Sequence, residues 1–308
     1  MESQSKRPRI IGGSGGGGGG SDRGSGGGSS LWEGLNPEIL GLIFTKIPAD
    51  ELIRVVPFVC KAWNEVVSGP YCWTDIDVEQ WCRRCYDMER IDSAVRKLVR
   101  KSNGTLRRLS VFMISNATFA FVANCERSLK VLQIPMSDVT DRMVMKHVES
   151  LKMLTTLDIS NCNKITCKGL ETLGKCCTSL VHLKRNMPPQ QLVYDIGSVA
   201  KKDDEEALVI ADTMRSLRSL ELGYGCMTDL GLDAILTKCE NLIHLDILGC
   251  YGVKLEGDLE DRCNQLTSFK TAWEEEYQDD DDDDEDEDES SEEGNEYFSE
   301  SDSDSDGV

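Results

Sequence analysis

From residue 105 to residue 273 the apolar positions follow one short formula: a leucine, a second leucine three places on, and a Leu, Ile or Val two places after that. It occurs at Thr105 (TLRRLSV), Ser128 (SLKVLQI), Met153 (MLTTLDI), Ser216 (SLRSLEL) and Asn241 (NLIHLDI), with degenerate copies at Ser179 (SLVHLKR) and Gln265 (QLTSFKT). The lead leucines are Leu106, Leu129, Leu154, Leu180, Leu217, Leu242 and Leu266, spaced 23, 25, 26, 37, 25 and 24. In a strand the three apolar places turn to one side and the intervening places to the other. No single strand can bury that side, so the pattern predicts a stack of parallel strands covered by return helices.

Helix starts follow the strands at Thr140-Asp141, Thr166 and Thr228-Asp229, the last leading into Leu232, Ile235 and Leu236. Seven strands at about 4.8 Å make a sheet about 29 Å long. Its uncovered, concave face is predicted to show Arg108, Ser110, Val131, Gln133, Thr156, Asp158, His182, Lys184, Ser219, Glu221, His244 and Asp246, positive near its start and acidic toward its end. Of these, Arg108, Gln133, Asp158, His182, Glu221, His244 and Asp246 are the candidate substrate contacts. The one long spacing places an insertion at about 187–202, a binding loop or a tolerated excursion. Cys162 and Cys250 follow Leu154 and Leu242 by eight residues, and Cys125, Cys176, Cys239 and Cys263 precede the next lead leucine by three or four. The periodicity and these thiols resemble the cysteine-containing class of leucine-rich repeats, in which they pack at turns and helix ends.

Ahead of the repeats, Pro37 opens a helix with Ile39, Leu40, Ile43, Phe44 and Ile47 at helical spacing. Pro48 stops it, Asp50 is expected to cap a second helix with Leu52, Val55 and Val56, and a third runs from Val59 to Val67 past Pro57. Three short helices make a core too small to cover itself. With Leu35, Val59-Cys60-Lys61, Trp63 and Trp73 they resemble an F-box, except that Asn36 separates the Leu-Pro pair that is adjacent in that family. The resemblance implies docking onto a Skp-family adaptor, carried here by Leu35, Pro37, Leu40, Ile43 and Val59, with Trp63 and Trp73 in support. Over residues 31–273 the chain is similar to a plant group of small F-box proteins, the segment DDEEALVIADTMRSLRSLEL from Asp203 included. Some of that group carry a WD-40 label, yet no Trp-Asp dipeptide occurs here and the period is too short for a propeller.

Composition sharpens this picture at the two ends. Twelve of 27 glycines fall between Gly12 and Gly28, so residues 1–30 read as a disordered Gly/Ser-rich lead. Of the formal charge of -21, all resides in residues 274–308, which hold 21 acids and no base; residues 1–273 hold 34 of each. That tail is expected to be disordered, and Ser290, Ser299, Ser301 and Ser303, each with an acid three places on, are phosphorylation candidates. The neutral body makes nucleic acid an improbable partner. No apolar run approaches the length of a membrane span, so the chain is expected to stay inside the cell, where its 13 cysteines remain reduced. Cys82 and Cys85 form a lone C-x-x-C without a second ligand pair, and no metal or other cofactor is implied. The three histidines, His147, His182 and His244, stand beside no nucleophile, and no phosphate loop occurs.

The sequence thus predicts an α/β protein: lead 1–30, three-helix F-box 31–75, connecting and capping segment 76–104, leucine-rich repeats 105–273 and acidic tail 274–308. Ile91, Val95, Leu98 and Val99 lie on one helical face of the connector and are expected to cap the first repeat. The resemblance implies a non-catalytic substrate receptor of a Skp-cullin-F-box ubiquitin ligase, reaching cullin and RING subunits through the adaptor and holding an unidentified protein target. The alternative is a leucine-rich-repeat binding protein acting without a ligase, for example a chaperone for basic nuclear proteins through the tail. Lys6-Arg7-Pro8-Arg9 is a short nuclear-import match, and residence in nucleus and/or cytoplasm is expected.

Overall fold

A three-residue strand with one inward side chain gains little alone and is stable only as a rung in a stack. The computed structural model describes residue 32 and residues 34–125, 127–189 and 203–273. The lead, most of the insertion, and the tail with Ser290, Ser299, Ser301 and Ser303 lie outside the described residues. The rungs form one parallel sheet of eight strands in sequence order. They are β1 (Asp75–Asp77), β2 (Arg108–Ser110), β3 (Val131–Gln133), β4 (Thr156–Asp158), β5 (His182–Lys184), β6 (Ser219–Glu221), β7 (His244–Asp246) and β8 (Ser268–Lys270). Ile76, Leu109, Leu132, Leu157, Leu183, Leu220, Leu245 and Phe269 stand in one register column, all but Phe269 fully buried.

The sheet begins one strand earlier than the spacing predicts. β1 lacks the leucine formula, yet Ile76 takes the column position and Thr74 O accepts the Arg107 N–H at 2.7 Å. The 76–104 segment is therefore no connector but the rest of a first repeat, and the sheet spans about 34 Å.

Before the sheet come α1 (Pro37–Phe44), α2 (Ala49–Arg54), a 3-10 turn (Val56–Phe58) and α3 (Lys61–Ser68). Asn36, the residue that parts Leu35 from Pro37, caps α1 by accepting the Glu38 N–H at 2.7 Å. The cap position of α2 is Pro48, so Asp50 lies within the helix rather than before it. Gly41 is required in α1, because a Cβ there would stand 2.8 Å from Tyr71 Cβ. Trp73, fully buried, joins this unit to the repeats: its Nε1 donates to Val67 O at 2.8 Å, and Lys101 Nζ lies 5.5 Å from its ring centroid.

After β1 come α4 (Glu79–Cys85) and α5 (Met88–Ser102). The covering layer continues with α6 (Asn116–Cys125), α7 (Asp141–His147), α8 (Cys167–Cys176), α9 (Glu205–Thr213), α10 (Asp229–Lys238) and α11 (Leu259–Asn264). As expected, Ile91, Val95, Leu98 and Val99 are the buried face of α5. Polar groups at helix starts tie successive repeats together. Asp141 accepts the Thr166 N–H at 2.8 Å and its hydroxyl at 2.6 Å. Asp204 does the same for Thr228 at 2.7 and 2.8 Å, and Asp229 accepts the Lys254 N–H at 2.7 Å. Thiols form a second ladder: Cys162 donates to Ile134 O at 3.2 Å, Cys177 to Leu151 O at 3.4 Å and Cys250 to Leu222 O at 3.0 Å. Burial pushes the thiols of Cys162 and Cys239 up to about 11 and those of Cys177 and Cys250 to about 12. Cys177, not the half-buried Cys176, is the packed thiol of its repeat, and Cys125 is exposed.

Arg185 occupies a place in the leucine formula where every well-formed copy has Leu, Ile or Val. Only 2% exposed, it donates to Cys162 O at 3.0 Å and Ile165 O at 2.7 Å, and its Nη2 meets Glu206 Oε1 of α9 at 2.9 Å. The copy is degenerate because a cation replaces an apolar anchor, and every donor it brings inside finds an acceptor.

Candidate functional site

Two surfaces are formed by residues whose chemistry the fold does not consume. The first lies on the three N-terminal helices. α1 turns Leu40 and Phe44 inward, and Leu52 and Val56 follow from the next segment. Ile39, Leu42 and Ile43 face solvent, as do Val55, Phe58 and Val59. Leu42 is 70% exposed and Phe58 83%, values that an apolar side chain reaches only when nothing in its own chain covers it.

This arrangement redistributes the residues named from the sequence. Pro37, Ile43 and Val59 are exposed and Leu35 is half-buried. Leu40 is 1% exposed, so it holds the core and is not a contact surface. The stripe is real, but α1 has only two turns and is apolar on nearly every side, so spacing alone does not choose which face turns in. Trp63 is half-buried, its ring 5.0 Å from that of Phe44 and 6.4 Å from that of Trp32, with Nε1 shielded and unpaired. Leu42 and Phe58 were missed; the signal for them is an apolar side chain off the stripe, beside a proline-broken turn.

The second surface is the open face of the sheet, where each strand sets two side chains. The register brings Asp75, Arg108, Val131, Thr156, His182, Ser219, His244 and Ser268 into one row. Asp77, Ser110, Gln133, Asp158, Lys184, Glu221, Asp246 and Lys270 form the other. The predicted face residues all fall in these two rows, but Ser110 is buried, its hydroxyl donating to Glu79 Oε2 at 3.2 Å, and is not open to a ligand. The charge of the face differs from the expected gradient, because β1 brings Asp75 and Asp77 within 3.9 and 3.2 Å of Arg108 and neutralises the start. Lys184 meets Glu221 at 2.8 Å and Lys270 meets Asp246 at 3.6 Å. Asp158 is half-buried, and burial raises its pKa against hydrogen bonds from Ser160 and the charge of Lys184, which lower it. His182 and His244 flank Ser219 and are exposed. His147 lies elsewhere, buried beside Asn124 at 3.1 Å, its pKa lowered chiefly by burial.

Among the described residues no group of three or more His, Cys, Asp or Glu side chains converges as a metal site requires, and no helix is long and apolar enough to cross a membrane. Cys82, from the C-x-x-C pair, is buried and its thiol is pushed to about 11.

Comparison with known proteins adds identity to geometry. Residues 32–79 match the F-box-like family model, and residues 150–174 and 213–236 match the Leucine Rich repeat model. The F-box protein FBW2 of Arabidopsis thaliana is 42% identical over 226 residues, 73% of this chain and 70% of its own length. The chain belongs to the plant F-box/leucine-rich-repeat proteins. F-box protein SKIP19 and F-box protein SKIP1 of the same plant, each 32% identical, match over 76% and 71% of this chain and 74% and 79% of their own lengths. The F-box match runs through β1, which agrees with a strand shared between the F-box and the repeats.

Proposed function

We propose that this F-box/leucine-rich-repeat protein is the substrate-recognition subunit of a Skp-cullin-F-box ubiquitin ligase. Its F-box docks a Skp-family adaptor, its repeats hold a protein target, and the ligase's other subunits carry out ubiquitin transfer, marking the target for degradation. The protein does no chemistry of its own; it contributes by raising the target's effective concentration beside the conjugating enzyme. Residence in nucleus and/or cytoplasm accompanies this reading.

The observation that carries the proposal is the exposed set Ile39, Leu42, Ile43, Val55, Phe58 and Val59 on a helical unit too small to hide it. Leu42→Asp together with Phe58→Asp changes surface residues only. Co-purification of the full chain with a Skp-family adaptor is expected to disappear in this variant while its circular dichroism stays unchanged. Retention of the adaptor by a folded double variant overturns the proposal.

For the target, the open sheet face supports a polar protein ligand laid across the strands, contacted by Arg108, Gln133, Asp158, His182, Glu221, His244 and Asp246. Replacing Glu221 and Asp246 by Lys reverses two of those charges. Proteins proximity-labelled under proteasome inhibition should drop out with this variant, whereas the F-box variant should keep labelling them with or without inhibition; a set unchanged by the charge reversal sinks the assignment of this face.

A further inference from the structure

A trough of about 600 Å³ runs along the outer side of α5, between it, α2 and α4. In a repeat array each covering helix is flanked by the helices of the repeats before and after it. α5 has α6 on one side; on the other its main neighbours among the described residues are α4 and the turn at Pro70–Cys72. The trough is what remains uncovered on that flank. Ile53, Val78, Trp81, Ala94 and Leu98 line its floor. Arg54, Arg90, Lys97 and Lys101 line its rim against a single acid, Glu89.

Two features suit this place to a ligand. Among the described residues none of the four cations meets a carboxylate within ion-pair distance, and Lys101 stands beside the Trp73 ring instead. Its lining is also periodic: Arg90, Ala94, Lys97, Leu98 and Lys101 repeat at three and four residues along a helix of 15. From Arg90 to Lys101 that stripe is about 16 Å long. Apolar side chains between cationic edges, on the bare flank of a helical layer, complement another helix whose apolar face is bordered by carboxylates.

We propose that this trough is a second docking site, separate from the F-box apolar face, which receives an acidic amphipathic helix of a partner protein. The incoming helix takes the place that a preceding repeat's helix would fill: its apolar side chains cover Trp81 and Ile53, and its carboxylates meet Arg54, Arg90, Lys97 and Lys101. The site does not depend on the ligase reading, because none of the exposed adaptor-face residues lines it.

The test uses the full chain and a fluorescein-labelled 18-residue peptide with Leu and Trp on one helical face and Glu elsewhere. Controls are the same composition with the apolar positions scrambled, and vesicles containing phosphatidylserine. Fluorescence anisotropy should show saturable binding of the patterned peptide that weakens as salt rises. Arg90→Glu with Lys97→Glu, and separately Ser93→Trp, which fills the trough from an exposed position, should each weaken it at least about tenfold. Neither variant should change adaptor capture, whereas Leu42→Asp with Phe58→Asp should abolish adaptor capture and leave the peptide bound. Equal binding of the scrambled peptide, unchanged affinity in both trough variants, or no saturable binding overturns the proposal. Co-sedimentation with vesicles that is lost on charge reversal overturns it in favour of a lipid surface.

Discussion

Arg185→Leu restores the residue type that the repeat formula asks for, and it is expected to destabilise the protein. The guanidinium donates to Cys162 O at 3.0 Å and Ile165 O at 2.7 Å in a place 2% exposed. Leucine leaves the Ile165 carbonyl without a partner, at about 1–3 kcal/mol when buried, while Cys162 O keeps the Ile165 N–H at 3.1 Å. Glu206 also loses its partner, but its side chain is 35% exposed and water replaces most of that attraction. The gain from leucine is small, since the arginine stem already fills the same space. The balance is a loss of about 2 kcal/mol, which for a domain of this size lowers the melting temperature by about 4–8 °C. Thermal denaturation followed by circular dichroism reads this directly. Glu206→Gln should cost about 1 kcal/mol or less, and Arg185→Lys should fall between, because an ammonium cannot fork to both carbonyls and the carboxylate. If Arg185→Leu melts at or above the unmodified protein, the carbonyls do not need the guanidinium and the reasoning fails.

Three further outcomes follow from the geometry. Asp204→Ala removes the acceptor shared by the Thr228 N–H and hydroxyl and the Gly231 N–H; a loss of about 1–2 kcal/mol in urea denaturation is expected, and a change within error would mean that the ladder is incidental. Native-state alkylation at pH 8, read by mass spectrometry, should modify Cys125 and leave Cys250 and Cys177 intact, because burial holds both thiols at about 12; comparable labelling of Cys250 contradicts the packing. Asp158 has a folded pKa raised above its unfolded value, so its contribution favours folding at low pH and is lost as pH rises through the folded pKa. Asp158→Asn, whose amide oxygen can still accept the Ser160 N–H, should therefore melt higher than the unmodified protein at pH 7, with the gap closing toward about pH 4; a lower melting point at pH 7 refutes that sign.

The repeats were legible because periodicity is a property of the chain itself: five of the seven copies present the same three apolar places, and the register that stacks Leu109 on Leu132 needs no other information. β1 escaped because its pairing is taught by its neighbour; apart from Ile76 nothing in Asp75–Asp77 marks a strand, and two aspartates read as loop. For the same reason the charge at the start of the open face was misjudged, since Asp75 and Asp77 reach Arg108 only through that pairing. Arg185 looked like decay of the formula, because a buried cation shows its purpose only once the carbonyls around it are placed. In α1 the exchange of Leu40 for Leu42 reflects a helix so short and apolar that the choice of buried face belongs to the packing, here to the close approach at Gly41.

Because Trp73 and β1 are common to the F-box and the first repeat, the joint between them is a packed core and not a tether. In the proposed ligase, docking of the adaptor would therefore fix the bearing of every later strand. A target seated on β7 would sit about 29 Å farther out than one seated on β1, so on that reading the rung a target grips would set how far its lysines stand from the charged thioester. Lengthening this lever arm by one inserted repeat would shift which lysines are modified, even with each grip unchanged.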